Sequence, residues 1–525
     1  TSTSVSGSPN PANVGQNVTF TATVSSSGSG TPTGTVAFED GTTDLGSAPL
    51  SSGQAVFNTS ALSLGAHSIT AIYSGDSNFT GSTSGVLTET VQASGAGNTS
   101  ALAHFAAGST WTTGIFVVNT GNQAANFSIA FFDDAGNPAT LPFSSGATST
   151  LAGNVPANGS AYFEAANPLD ALVSGWGRIT ADPSIVIQAL FRNDANGMYY
   201  EAAVPSSAGG KEFLIPFEAN LDQSTATISC IARDSSGTVI PNAIPVPALS
   251  PLGHWANYLF PALTGLRGTI DCSSNTNIAG IALRFIGSSA FSSLPVVANP
   301  ASFSGGSSAA LAHFAAGDTW TTGFFVLNTG ASTAQFSMAF HDDNGNSVAL
   351  PFSTGSTSTL SGSVPAHGSA YYEAGNPQAS LASGSAQITA DPSIVVQALF
   401  RDDSNGQYHE AAVPSSSGSQ EFLFPFDATT FAGNGQPFYT GVAIANLSGS
   451  PADLICTARD QNGAVIPDAV PVPELSPLGH WANYLFPALT GMRGTIDCVA
   501  SASVAATALR FIGNNAFSSL PVITK

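Results

Sequence analysis

The chain has 525 residues, of which 43% are hydrophobic and only 8% are charged, and its formal net charge is −21. This length exceeds one ordinary domain and accommodates several. The acidic balance disfavours binding to nucleic acid or anionic lipid, and no apolar run approaches the roughly eighteen residues that a spanning helix needs, so we expect no membrane insertion.

Residues 1–92 contain segments that alternate between apolar and polar side chains, as β-strands do. In NVTFTATV (Asn17–Val24) every second residue is apolar, and threonines fill the opposite face. Gly34–Gly46 and Leu62–Ser82 add further strand-like stretches with turns between them. Roughly six or seven such strands in this length predict an immunoglobulin-like sandwich.

Two stretches of this segment carry a family resemblance. TPTGTVAFEDGTTDLGSAPL (Thr31–Leu50) and LGAHSITAIYSGDSNFTGSTS (Leu64–Ser84) closely resemble the bacterial immunoglobulin-like repeats of large secreted and surface proteins. The resemblance covers residues 1–92 and implies a spacer or adhesive module without catalysis. Like those repeats, the segment has no cysteine pair.

The rest of the chain is a tandem duplication. LAHFAAGSTWTTGIFVVNTG (Leu102–Gly121) returns as LAHFAAGDTWTTGFFVLNTG (Leu311–Gly330), an offset of 209 residues. Further along, His254 returns as His480, an offset of 226. The first copy therefore lacks 17 residues that the second copy contains as Ala428–Ile444.

Each copy consists of two related halves, because Thr322–Gly345 and Thr440–Gly463 follow the same order of apolar run, Asn, turn, strand and Asp-containing turn. We therefore predict an all-β chain of tandem sandwiches, with A and B denoting the two halves of each copy. Their predicted ranges are 1–92 (immunoglobulin-like), 101–206 (A1), 211–298 (B1, with one strand missing), 309–415 (A2) and 420–525 (B2). The HFA…W.T…VLN and EAAVP elements of residues 101–525 resemble uncharacterised repeats of secreted bacterial surface proteins, which imply no known activity.

The four cysteines repeat at one spacing. Cys230 and Cys272 are 42 residues apart, and so are Cys456 and Cys498. One disulfide in each B half is the favoured interpretation, and two pairs of buried free thiols are the alternative. Disulfides indicate an oxidising, extracellular compartment. A zinc site is disfavoured because no C-x-x-C spacing or histidine cluster accompanies them.

The segment Leu249–Cys272 returns almost unchanged as Leu475–Cys498, and each copy contains a His-Trp pair. An active site would need a nucleophile or a second titrating group and an orienting residue. We favour a structural role, with His254 and His480 packed beside their tryptophans. The prediction is a protein without catalytic residues.

Two other groups of residues suggest ligands only weakly. Asp342, Asp343 and Asn344 resemble part of a calcium loop but lack the full ligand alternation, so a hairpin turn is favoured and no metal or cofactor is expected. Trp111 and Trp320 are candidate platforms for stacking sugars, although packing in the core is the favoured interpretation.

The 17-residue difference has two explanations. Either the sequence omits a stretch, which we favour from the sequence alone, or the gap is real and another chain donates a strand by β-augmentation. The alignment places the corresponding open slot at Glu218 and Ala219.

We therefore expect a non-enzymatic, secreted protein of the bacterial cell surface. The favoured function is a structural subunit of an extracellular filament or elongated fibre, with self-association into a homopolymer. The alternative is an adhesin or carbohydrate-binding module that recognises a glycan or another surface ligand.

Overall fold

A computed structural model describes the chain except for residues 9, 11, 14–17, 42, 60–61, 63–64, 93–97, 167–170, 194–199, 207–209, 214–216, 221–223, 253, 257–259, 281, 287–289, 295, 297–307, 376–379, 405–408, 431–434, 514–515 and 525. It divides into two units. The first is Thr1–Asn98 with the short segments Asn126–Ser128 and Thr180–Pro183, and the second is the remainder of Thr99–Lys525. In the described part, no helix combines the length and apolarity needed to cross a bilayer.

The N-terminal unit is a sandwich of two sheets, β1-β3-β6 and β2-β9-β7-β4-β5, with β8 beside β7. Its strands are β1 (Ser2–Ser8), β2 (Ala12–Asn13), β3 (Val18–Ser25), β4 (Thr35–Asp40), β5 (Thr43–Pro49), β6 (Gln54–Thr59), β7 (Gly65–Gly75), β8 (Thr80–Thr83) and β9 (Leu87–Gln92). The predicted alternation in β3 is confirmed, since Val18, Phe20, Ala22 and Val24 are buried in the core.

The first copy of the repeat contributes strands β10 to β27. In A1 they are β10 (Asn98–Ala107), β11 (Trp111–Asn119), β12 (Ala125–Phe132), β13 (Leu141–Phe143), β14 (Gly146–Thr148), β15 (Thr150–Val155), β16 (Ser160–Ala165), β17 (Val173–Ala181), β18 (Ile185–Asn193) and β19 (Tyr200–Pro205). In B1 they are β20 (Gly210–Phe213), β21 (Phe217–Asn220), β22 (Ile228–Asp234), β23 (Val239–Ile240), β24 (His254–Ala256), β25 (Gly268–Gly280), β26 (Ala282–Ile286) and β27 (Ala290–Leu294), with a short 3-10 helix at Pro261–Leu263.

The second copy contributes strands β28 to β45. In A2 they are β28 (Ser308–Ala316), β29 (Trp320–Asn328), β30 (Ala334–His341), β31 (Leu350–Phe352), β32 (Gly355–Thr357), β33 (Thr359–Val364), β34 (Ser369–Ala374), β35 (Ala382–Ala390), β36 (Ile394–Asp402) and β37 (His409–Pro414). In B2 they are β38 (Ser419–Asp427), β39 (Phe438–Asn446), β40 (Leu454–Asp460), β41 (Val465–Ile466), β42 (His480–Asn483), β43 (Arg493–Ile512), β44 (Ala516–Leu520) and β45 (Ile523–Thr524), with a short 3-10 helix at Pro487–Leu489.

A1 and A2 share one topology. A1 consists of the sheets β10-β17-β12-β15 and β14-β13-β16-β11-β18-β19, and A2 repeats the same order with β28-β35-β30-β33 and β32-β31-β34-β29-β36-β37. Phe324 and Phe340 lie on opposite sheets of A2, and their ring centroids are 5.5 Å apart across the layers. The all-β sandwich class predicted from the sequence is therefore confirmed.

B2 is organised around the 20-residue strand β43. The N-terminal half of β43 pairs with β40 and β38, and its C-terminal half pairs with β39 and β44. In B1 the described residues of the corresponding stretch are β25 and β26, and β26 pairs with β27.

The slot predicted at Glu218 and Ala219 is wrong in its position. Both residues lie in β21, which pairs with β24 on one side and with β25 on the other. The backbone groups of these two residues are therefore already matched. In the described residues of B1, β26 pairs with β27 alone, whereas the equivalent part of β43 in B2 pairs with both β44 and β39.

Both predicted disulfides are present, Cys230–Cys272 and Cys456–Cys498. Each joins directly opposite residues on neighbouring strands, β22 to β25 and β40 to β43. They thus fix the register of the two sheets that hold the B cores.

Removing the Cys456–Cys498 bond is expected to lower the free energy of unfolding by about 2–4 kcal/mol, because the loop that it closes is long. The change is Cys456→Ala with Cys498→Ala, and chemical denaturation of the full chain measures it. The matched pair in B1, Cys230→Ala with Cys272→Ala, closes a loop of the same 42-residue separation and should behave alike. No loss for either pair would contradict a stabilising role.

In the second unit each A sandwich contacts both B sandwiches. One hydrogen bond illustrates each junction: Trp176 Nε1 to Leu252 O (2.7 Å, A1–B1), Thr269 Oγ1 to His367 O (2.7 Å, B1–A2), Gln387 Nε2 to Leu447 O (3.2 Å, A2–B2) and Thr495 Oγ1 to Asn158 O (2.8 Å, B2–A1). The four sandwiches form a closed ring, in which β19, β27, β37 and β44 contact one another.

Candidate functional site

A chain of three titratable side chains joins A2 to B2. His480, the first residue of β42, places its Nδ1 2.8 Å from Asp343 Oδ1 in the turn after β30. The opposite ring nitrogen, Nε2, lies 3.0 Å from Nδ1 of His313 on β28. The His480 backbone N–H also donates to the carbonyl of Asp343, at 3.1 Å, so the junction is held by backbone and side chain together.

A1 and B1 contain the same arrangement of three titratable side chains. His254 lies 2.9 Å from Asp134 through Nδ1 and 3.1 Å from His104 through Nε2. In both copies the two imidazoles are stacked, with ring centroids 5.0 Å apart. The duplication therefore reproduces an Asp–His–His arrangement across each A–B junction.

The carboxylate of Asp343 determines which atoms donate hydrogen bonds in this Asp–His–His arrangement. An ionised carboxylate only accepts hydrogen bonds, so His480 donates from Nδ1–H to Asp343. A neutral His480 then accepts at Nε2, and His313 donates to it from Nδ1–H. With both rings neutral, each of the two hydrogen bonds in this arrangement has one donor and one acceptor.

The surroundings favour the neutral form of the inner histidine. Burial, reinforced by the nearby His480, lowers the pKa of His313 to about 3 from an ordinary value of 6.5. Burial also holds the pKa of His104 well below 6.5. The outer end is acidic, because the hydrogen bond from His480 lowers the pKa of Asp343.

The Asp–His half of this arrangement resembles the base and orienting carboxylate of a catalytic triad. In such a triad, the hydroxyl or thiol of the nucleophile would hydrogen-bond to Nε2 of His480. His313 occupies that position. The geometry therefore joins two sandwiches and presents no nucleophile at that atom.

A second cluster joins A1 to B2. Arg510 on β43 is fully buried and ion-pairs with Glu201 on β19 (2.5 Å) and with Asp427 on β38 (2.9 Å). Ser518 on β44 donates to the same Glu201. Arg493 lies 3.0 Å from Asp427. Burial alone would raise the pKa of Asp427, but the charges of Arg510 and Arg493 outweigh it and hold that pKa below its ordinary value.

The counterpart cluster joins A2 to B1. Arg284 on β26 ion-pairs with Glu410 on β37, and Ser292 on β27 donates to Glu410. Arg284 keeps 27% of its side chain exposed, whereas Arg510 keeps 0%. Among the side chains that the structure describes, Arg284 has the one carboxylate partner Glu410.

The residues proposed for calcium have other partners. Asp342 accepts backbone N–H groups from Asn344 (2.9 Å) and Asn346 (2.8 Å), as an aspartate that caps a hairpin turn does. Asp343 binds His480, and the carbonyl of Asn344 accepts from Ser476. In the part of the chain that the structure describes, no group of three or more His, Cys, Asp and Glu side chains is arranged to hold a metal ion.

The two proposed sugar platforms begin equivalent strands. Trp111 and Trp320 are half-buried at the start of β11 and β29, after tight turns closed by Gly108 and Gly317. The ring of Trp320 packs against Phe517 of B2, with centroids 5.4 Å apart. One side of that ring is therefore already used in a contact between sandwiches.

Sequence patterns alone do not single out five of these residues, namely His104, His313, Asp134, Glu201 and Glu410. A usable signal existed, because the histidines, this aspartate and the glutamates all recur at the offset of 209 residues, the aspartate as Asp343. What the pattern does not show is which partner each residue meets in the other half of the repeat.

Comparison with known proteins identifies only the N-terminal unit. Residues 5–92 match the family Bacterial Ig-like domain (group 3), so this unit is a bacterial immunoglobulin-like domain. No curated protein matches the chain. Members of this family are often extracellular and typically non-enzymatic, and the two disulfides fit a secreted protein.

Among solved structures, the chain aligns with trypsin-activated alpha-2-macroglobulin from Escherichia coli at 8% identity and a TM-score of 0.12, over 99% of this chain and 48% of that one. It aligns with Salmonella alpha-2-macroglobulin reacted with methylamine at 9% identity and a TM-score of 0.14, over 97% of this chain and 38% of that one. The chain thus spans less than half the length of these proteins, and the TM-scores are too low to support an argument.

Proposed function

We propose that this protein is a non-enzymatic, secreted protein of the bacterial surface and a structural subunit of an extracellular filament. The observation that carries the proposal is that the repeated titratable side chains lie at contacts between sandwiches. The histidines of the Asp–His–His chains and the arginines Arg284 and Arg510 all join one sandwich to another. Such a body keeps a fixed shape, which a load-bearing or spacing element requires.

Self-association follows as the expected partner interaction. A head-to-tail contact between identical chains generates an open fibre when its rotation does not close. The net charge of −21 keeps dispersed chains soluble, so the contact would be specific rather than a general hydrophobic collapse.

Negative-stain electron microscopy of the native, unfractionated material tests the proposal. Regular fibres with a constant axial repeat are the expected result, and purified chain should rebuild them. Single particles at every concentration, in native and purified samples alike, would contradict a filament subunit.

The alternative is an adhesin or carbohydrate-binding module that uses the half-exposed tryptophans. We expect Trp320→Ala to leave a glycan array unchanged and to lower the free energy of unfolding by about 2 kcal/mol, since the ring supports Phe517. Trp111→Ala, at the equivalent position of A1, is the matched variant. A glycan signal that disappears in Trp320→Ala, with the fold intact, would favour the adhesin function instead.

A further inference from the structure

B1 and B2 differ in what covers their last long strand. In B2, the C-terminal half of β43 is paired on both sides, with Phe438–Asn446 of β39 and with Ala516–Leu520 of β44. In B1 the corresponding strand is β26, and β27 pairs with it along one side. Among the described residues, no strand pairs along its other side. This side is termed the β26 edge.

The register shows which part of the hairpin B1 lacks. Phe213 of β20 lies opposite Cys272, as Phe422 of β38 lies opposite Cys498. Ala219 of β21 pairs with His254, as Ala445 pairs with His480. B1 therefore retains the beginning of β38 and the end of β39. In the strand pairing of the described residues, the second half of β38 and the first half of β39 have no counterpart in B1.

B2 shows the chemistry of the strand that covers this edge. Phe438, Thr440 and Val442 are buried at alternate positions of β39, with exposures of 2%, 3% and 2%. The Phe438 ring lies 3.6 Å from the guanidinium of Arg510. Asp427, at the end of β38, supplies the second carboxylate of that arginine.

B1 retains the groups that would receive such a strand. Arg284 keeps 27% of its side chain exposed, and Leu283 is half-buried where Leu509 of B2 is only 7% exposed. An open cavity of about 300 Å³ lies beside Cys230 and is also lined by Ile240 and Ile244.

The lining of this cavity connects it to the same missing segment. Its residues Ile240 and Ile244 correspond to Ile466 and Val470 of B2, which pack in a core that contains Phe424 and Phe426. Those phenylalanines lie in the half of β38 that has no paired counterpart among the described residues of B1. The edge and the arginine lie where B2 has contacts with this segment, and the cavity lies where B2 shares a core with it.

We propose that the β26 edge is a β-strand acceptor site. Its occupant is an extended segment of another polypeptide, with aromatic, threonine and aliphatic side chains at alternate positions and a carboxylate that reaches Arg284. Backbone hydrogen bonds to β26 would supply affinity, and the inward side chains and the ion pair would supply specificity. As a means of joining subunits the site rests on the proposed function, whereas strand binding itself does not.

Binding of a synthetic peptide to the full chain tests the proposal. The peptide has the sequence of Leu423–Val442, which contains both missing half-strands. Isothermal titration calorimetry should show one peptide bound per chain. A peptide with the Asp427→Asn change should bind at least tenfold more weakly, and a scrambled peptide of the same composition should not bind.

A repaired chain provides the matched control. Insertion of the sequence of Ala428–Ile444 between Glu218 and Ala219 restores to B1 the length that B2 has. The repaired chain should have a higher unfolding temperature and should no longer bind the peptide. Absence of binding to the natural chain, or equal binding to both chains, would overturn the proposal.

Electron microscopy of the repaired chain separates this inference from the filament proposal. If the repaired chain does not bind the peptide but still forms fibres, a second copy is excluded as the donor at this edge, and the filament proposal is unaffected. Loss of fibres only in the repaired chain would identify a second copy as the source of the strand. Peptide binding by a natural chain that never forms fibres would support the acceptor site alone.

Discussion

Replacement of Arg510 by methionine is expected to lower the free energy of unfolding of the second unit by about 3–5 kcal/mol. Arg510 has no exposed side-chain surface and neutralises two carboxylates, those of Glu201 and Asp427. Methionine fills much of the same volume but leaves Glu201 buried without its counter-charge. A buried carboxylate in that state costs far more than the lost ion pair contributed.

The first copy supplies the control for this variant. Arg284→Met removes the counterpart arginine, which is 27% exposed, so water can enter the space that it leaves and solvate part of the buried Glu410 carboxylate. We expect a smaller loss of about 1.5–3 kcal/mol there, the range for a hydrogen bond to a charged group. Chemical denaturation of the full chain, followed by tryptophan fluorescence, measures both variants. Equal losses would contradict the importance of complete burial at Arg510.

Stability is expected to fall as the pH decreases from about 6.5 towards 3. The folded-state pKa of His313 is lowered to about 3, mainly by burial, and that of His104 is lowered in the same direction. Between the two pKa values the unfolded chain binds a proton at each histidine and the folded chain does not, so acid favours unfolding. Each histidine contributes a slope of at most about 1.4 kcal/mol per pH unit.

The double variant His104→Asn with His313→Asn isolates this effect. Asparagine retains a hydrogen-bond donor near each outer imidazole but does not titrate. Between pH 6.5 and 5 the free energy of unfolding should change less steeply with pH in the variant than in the parent chain, because the variant lacks the two histidines. This pH range is chosen because ordinary carboxylates titrate below it. Burial also lowers the pKa values of His341 and His409, so the informative quantity is the difference from the parent chain. Identical slopes would contradict a role for the inner histidines.

Local features of the fold were predictable because the alternation of apolar and polar residues in a strand involves only neighbouring positions in the sequence. The alternation around Phe20 was sufficient to predict a strand with one buried face, and the structure buries that residue completely. The cysteine spacing likewise predicted both disulfides, since each joins strands whose register the repeat preserves. In each case the information lies within one sandwich.

The junctions were not predictable in this way. His254 meets His104 across 150 residues, and Arg510 meets Glu201 across 309. Periodicity states which face of a strand is buried but not which other sandwich covers it. His480 was expected beside Trp481 alone, and its Asp–His partners became visible only when A2 and B2 were placed together.

The open slot shows a different limit. In the sequence alignment of the two copies, Glu218 corresponds to Asp427, because both residues are acidic and follow Pro-Phe. Hydrogen bonding sets Glu218 opposite Trp255, where B2 has Ile444 opposite Trp481. In the structure, β21 takes the register of the last residues of β39, so the strand left without its second partner in the described residues is β26.

The closed ring also has a consequence for the timing of synthesis. Glu201 leaves the ribosome 309 residues before Arg510 does. At roughly 5–20 residues per second, its carboxylate waits about 15–60 s for its counter-charge. During this interval A1 has a hydrated acidic edge where the finished ring has a dry interface. That edge disfavours premature docking of β19, so the nascent first copy is kept open until the second copy has emerged.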